Sequence, residues 1–138
     1  MRRAGFTLIE VLVVIAMIGI LSVIGAGSYS RWLANNDVQL AAATLTQRIQ
    51  EARTLAKRGT ANVVLTTVAD SATFTSNGKT YSVPAATIKT AQTLTFQPPY
   101  GVLSNPTYPI DVTVQSTRNS AVTRKVRIIS MLGKVVIQ

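Results

Sequence analysis

The side chains that most often carry enzymatic chemistry are scarce in this chain. It has no His and no Cys, which removes the commonest general base, the thiol nucleophile, Cys/His zinc sites and disulfides. The acids are Glu10, Asp37, Glu51, Asp70 and Asp111, each isolated in sequence, so no carboxylate pair or metal-ligand spacing stands out. A Ser beside Lys79, Lys89 or Lys125 could form a Ser–Lys dyad, but no motif supports a pairing. We therefore expect no catalytic residue, no metal and no cofactor. The basic residues are the opposite case. Fourteen Lys and Arg give a formal charge of +9 and a pI near 10.7, a field suited to a phosphate-rich polymer or an anionic lipid surface. They are densest near the end, where Arg118, Arg124, Lys125, Arg127 and Lys134 include no acid after Asp111.

Glu10 is the most unusual acid because of where it lies. Phe6 to Ala26 is an apolar run of 21 residues interrupted only by Thr7, Glu10, Gly19, Ser22 and Gly25. As a helix it would reach about 31 Å, enough to cross a hydrocarbon core of about 30 Å. Arg2 and Arg3 precede the run and only Arg31 follows it closely, so the positive-inside rule keeps the N-terminus cytoplasmic and sends the rest outward. A secretory signal peptide shares the basic start, but its apolar region is usually only about 7 to 15 residues long and carries no acid. A carboxylate at the centre of a membrane helix costs about 2.5 to 3.5 kcal/mol, somewhat less near the end. Such a residue calls for a partner, or for a position from which it can snorkel to the interface.

The residues Gly5-Phe6-Thr7-Leu8-Ile9-Glu10, after a short basic leader, resemble the N-terminal signature of type IV pilins and type II secretion pseudopilins. The resemblance implies that a prepilin peptidase and methyltransferase of the inner membrane cuts between Gly5 and Phe6 and methylates the new N-terminal Phe6. It also implies that Glu10 neutralises the terminal amine of a neighbouring subunit in a filament. Opposite charges that meet relieve each other's desolvation penalty.

Stepping outward from the apolar run, the helical period continues. Val38, Ala41 or Ala42, Leu45, Ile49, Ala52 and Leu55 or Ala56 recur every three or four residues, while Arg48, Glu51 and Arg58 fall largely off that stripe. Lys57 and Arg58 suit the negative end of the helix dipole, and Gly59 suits a C-terminal cap. One helix is thus expected over about residues 6–58, with Gly25, Gly27 and Asn35-Asn36-Asp37 as weak points. In the family that the motif resembles, this part of the helix can unwind within a filament, which here would be Gly19 to Gly27; close helix approach at small residues is the other reading. Strands are expected over 62–68, 73–76 and 79–83 around an Asn77-Gly78 turn, 94–96, 110–116, 124–129 and 134–137. Pro98-Pro99-Tyr100-Gly101 and Asn105-Pro106 mark turns or loops. The expected organisation is a leader (1–5), a transmembrane or filament-core helix (6–26), the amphipathic half of the same helix (27–58) and a β-rich head (59–138). The fold class is α+β, a long helix packed on an antiparallel β-sheet head.

The later half carries a second resemblance. Thr95-Phe96-Gln97-Pro98, then Gly101, a basic strand and a terminal Gly133-Lys134 hairpin are similar to the C-terminal layout of GspH/FimT-type minor pilins. That layout implies a low-abundance subunit of a type IV pilus or a secretion pseudopilus, at the filament tip or priming its assembly. Its partners would be other pilin or pseudopilin subunits, and its head would face the periplasm. Some members of that group bind DNA in natural transformation through a Gly-Arg-x-Arg element, where this chain has Gly133-Lys134-Val135-Val136. Two readings of Arg118, Arg124, Lys125, Arg127 and Lys134 follow: a non-sequence-specific DNA contact, or a solvated basic strand face.

Overall fold

The computed structural model describes residues 7–104 and 107–138, with the side chains of 24–26 set aside. The expected leader, and Gly5 and Phe6 with it, lie outside the described residues, as does the Asn105-Pro106 loop. Helix α1 runs Leu8–Arg58. It is helical through Gly27 and through Asn35-Asn36-Asp37, so the weak points predicted there do not interrupt its hydrogen bonding. Gly59 lacks the positive φ of a left-handed cap. Its N–H instead continues the ladder to the Leu55 carbonyl at 2.9 Å.

The chain forms two compact units, Met1–Leu33 and Ala34–Gln138. In the first, the described side chains are exposed almost throughout. Leu8, Leu12, Ile15, Ile20 and Leu21 are each at least 60% accessible. This segment has a mean hydropathy of 2.7 over its most apolar window, long and apolar enough to cross a membrane.

The second unit holds the core. One stripe of α1, comprising Ala34, Val38, Ala41, Ala42, Leu45, Ile49, Ala52 and Ala56, is fully buried, whereas Leu55 turns outward. Five of these eight are Ala, and their small side chains let backbones approach closely. The strands of this unit are β1 (Val63–Thr67), β2 (Thr73–Ser76), β3 (Lys79–Ser82), β4 (Ala86–Ile88), β5 (Gln92–Gln97), β6 (Val102–Leu103), β7 (Ile110–Ser116), β8 (Thr123–Ile128) and β9 (Val135–Ile137). They form two antiparallel sheets, ordered β3-β2-β1-β5-β6 and β4-β7-β8-β9. The antiparallel head expected from the sequence is thus divided between two sheets. The division falls at β4, which pairs with β7 while an isolated bridge from Ser71 to Ile88 ties it back toward β2.

Alternation supplies the inward faces. β7 buries Ile110, Val112, Val114 and Ser116, and β8 buries Val126 and Ile128, as the two-residue period requires. Phe74, Leu94 and Phe96 from the first sheet join the apolar ones among them and the helix stripe from Val38 to Ala56 in one cluster. The turn between β2 and β3 has positive φ at both Asn77 (51°) and Gly78 (76°), the signature of the type I′ turn that Asn-Gly favours. Two further glycines place loops against the helix. A Cβ on Gly101 would lie 2.7 Å from the Arg53 carbonyl oxygen, and one on Gly133 would lie 3.3 Å from Phe96. The carbonyl of Gly133 also accepts a 2.9 Å hydrogen bond from Gln50.

Candidate functional site: the start of the helix and the basic strands

Thr7 stands just before α1 and Glu10 is the third residue within it. The Glu10 N–H points to Thr7 Oγ1 at 3.4 Å and to the Thr7 carbonyl at 3.1 Å. Thr-x-x-Glu is the spacing of a capping box, in which the hydroxyl satisfies an orphan donor of the first turn. Glu10 therefore has two local reasons to be where it is: the capping spacing, and the positive end of the helix dipole. Its side chain nevertheless faces outward, and no cation among the described residues pairs with it. Among the described residues, then, no cation claims the carboxylate, and it is open to a group from another molecule. The sequence places Thr7 in the apolar run and in the N-terminal signature, but neither assigns its hydroxyl a capping role. The capping spacing was the signal that could have found it.

Farther along this unit, Tyr29 and Trp32 stack on each other, with ring centroids 6.0 Å apart and planes at 26°. They are 63% and 58% exposed and sit where the apolar run gives way to polar residues. Periodicity did not single them out, because they lie beyond the run and off the buried stripe.

In the second unit the four acids are all engaged. Glu51 pairs with Arg48, Asp70 with Lys89, Asp37 with Arg118 and Asp111 with Arg127. The last pair is bidentate, with Arg127 Nε and Nη2 each donating to a carboxylate oxygen at 2.8 Å. It forms because Asp111 and Arg127 are opposite one another in the β7–β8 register. Hydrogen bonding from Arg127 holds the Asp111 carboxyl below its ordinary value. Partial desolvation opposes this, and the charges of Arg127 and Lys125 add to it. Asp111 in turn raises the pKa of Arg127.

The five sequence-selected cations are thus not equivalent. Arg118 donates to Asp37 at 2.8 Å, and Arg127 is committed to Asp111. Lys125 shares the outward face with Arg127, as the two-residue period predicts, and stands opposite Thr113. Arg124 has the parity of Val126 and Ile128 and so lies on the other face. Lys134 sits in the turn before β9, its carbonyl accepting from the Ile129 N–H. Meanwhile the stems of Arg53 and Lys57 lie beneath the Gly101 turn, and Arg53 also meets the Gly133 turn that carries Lys134. This places one helix cation, Arg53, beside the turn that carries Lys134, a neighbourhood no sequence spacing indicated. Arg53, Lys57, Arg58, Lys79, Arg124, Lys125 and Lys134 enter no ion pair among the described residues.

Residues 1–26 match the prokaryotic N-terminal methylation motif. No curated protein sequence matches the chain significantly. The chain is similar in structure to the type IV minor pilin FimU of Pseudomonas aeruginosa, with a TM-score of 0.57 and 19% identity over 72% of this chain and 91% of that one. A prokaryotic N-terminal methylation motif thus leads a chain with the type IV pilin-like fold, a long N-terminal helix and antiparallel sheets.

Proposed function

We propose that this chain is a minor pilin or pseudopilin, a structural subunit of a type IV pilus or a type II secretion pseudopilus, and not an enzyme. The observation that carries this reading is the conjunction of the methylation motif with the pilin-like fold. Prepilin peptidase cuts between Gly5 and Phe6 and Phe6 is methylated. Before assembly the chain is held in the inner membrane by residues 6–26, with its N-terminus cytoplasmic and its head in the periplasm. It then enters the filament through α1, tip-located or priming assembly in the manner of GspH/FimT-type subunits. Glu10, outward and in no ion pair among the described residues, meets the terminal amine of the adjoining pilin subunit.

The test is Glu10→Ala in cells that assemble the filament. We expect a processed, stable membrane protein absent from sheared filaments. Normal incorporation of the variant removes the role of Glu10. A mature N-terminus other than methylated Phe6, read by mass spectrometry, removes the processing assignment.

A second reading is favoured by the charge. With every acid of residues 34–138 already paired, seven cations remain uncompensated by an acid, and Arg124, Lys125 and Lys134 stay available from the original set. The chain would then be a DNA-binding minor pilin in natural transformation, with weak, sequence-independent and salt-sensitive binding. Duplex binding by residues 31–138 at low salt, lost when Arg124, Lys125, Arg127 and Lys134 become Ala, is the expected result. No binding, or unchanged binding, ends this reading.

A further inference from the structure

We infer that Tyr29 and Trp32 form an interfacial anchor that seats the unassembled chain in the outer leaflet's headgroup region and thereby sets the depth of Glu10. The inference rests on the reading of residues 6–26 as a membrane span.

The argument begins with the two rings. Each carries an apolar body and one polar group, a combination favoured at the boundary between hydrocarbon and water. Stacked at a three-residue spacing and both largely exposed, they present one continuous amphipathic surface on α1. The residues on either side locate that surface at a boundary. From Leu8 to Val23 the described side chains are almost all apolar and exposed, whereas Ser28, Ser30 and Arg31 surround the pair.

Helix rise then fixes what lies at the other end. Glu10 precedes Tyr29 by 19 residues and Trp32 by 22, which is about 29 to 33 Å along the axis. The hydrocarbon core is about 30 Å thick, and an ordinary tilt of about 20° shortens the projected distance by only a few per cent. With the aromatic pair at the outer boundary, Glu10 reaches the inner one. Its carboxylate meets cytoplasmic headgroups and water, so the desolvation cost of a buried acid is largely avoided before assembly. The Gly5-Phe6 bond, earlier in the chain, falls on the same cytoplasmic side. The pair is thus a positioning device that acts across the membrane.

Trp32 is the single tryptophan, so its emission reports one depth. The full chain would be reconstituted in vesicles of phosphatidylethanolamine and phosphatidylglycerol containing lipids brominated either near the carbonyls or near the chain ends. We expect blue-shifted Trp32 emission, quenched more by the shallow bromines than by the deep ones. In a Trp32→Phe background, Ile20→Trp places the probe about 18 Å below that level and should reverse the order. Water-like, unquenched Trp32 emission from chains that float with the vesicles overturns the anchor while leaving the span intact. Stronger quenching of Trp32 by deep bromines, or of the Ile20 probe by shallow ones, also overturns it. Chains that fail to float with the vesicles overturn the membrane span itself and the anchor with it.

Discussion

Gly101→Ala tests whether the loop after β5 is truly seated on the helix. Two separate costs apply. Gly101 has φ of 62°, a left-handed conformation that costs an L-residue about 1 to 2 kcal/mol. An added Cβ would also lie 2.7 Å from the Arg53 carbonyl oxygen, 2.9 Å from Arg53 Cγ and 3.0 Å from Lys57 Cγ. The first of these is backbone, so the loop and the helix must separate. Forcing an extra carbon into a packed contact typically costs about 1 to 3 kcal/mol, and the sum is about 2 to 5 kcal/mol. Gly78→Ala is the control, because φ there is 76° but nothing lies within 4 Å of the added carbon. It should show the conformational cost alone, about 1 to 2 kcal/mol. Gly133→Ala, with φ of 67° and its nearest contact a ring carbon at 3.3 Å, should fall between them. Among the described residues every buried hydrophobic lies in 34–138, so urea unfolding of residues 31–138 followed by far-ultraviolet circular dichroism suits the series. If Gly101→Ala destabilises no more than Gly78→Ala, the close approach of this loop to the helix is wrong.

Truncation of Phe96, fully buried between sheet and helix, should cost about 3 to 5 kcal/mol on replacement by Ala, read from the same unfolding curves. The Asp111–Arg127 pair should shape the acid limb of stability. The folded state lowers the pKa of Asp111, so its contribution is present above the ordinary carboxylate value and lost as pH falls from there through the lowered one. Wild type should therefore converge on Asp111→Asn as acid is added, and a stability difference independent of pH would contradict the pairing. For processing, replacing Gly5 with a bulky residue should leave the leader attached, seen as an unshifted precursor mass. Removal of the leader at the normal rate would show that the peptidase does not need close approach to this backbone.

The helix and the hairpin were legible because their signals are local. The stripe from Val38 to Ala56 appears in the sequence at the spacing that one face of a helix demands, and Asn77-Gly78 supplies the only positive-φ chemistry that a two-residue turn there needs. The short strands were not. Ala86-Thr87-Ile88 is too brief to show a period, and it is a strand because β7 lies beside it in register. The same three residues carry the chain from one sheet to the other, so the split into two sheets was equally hidden.

For the candidate site the line falls in a similar place. The apolar run, the acid within it and the resemblance of residues 5–10 to a processing signature need no tertiary contact to be recognised, since a membrane reads length and hydropathy and a peptidase reads a short stretch of chain. The fate of each charge was a matter of tertiary structure. Asp37 and Arg118 are 81 residues apart in sequence yet hydrogen bonded, and Arg127 is drawn off by Asp111 only because β7 and β8 set them opposite each other. Net charge is a sum over residues and can be counted from the sequence. Which cations remain for a partner depends on distances of a few ångströms, and only the folded chain determines those.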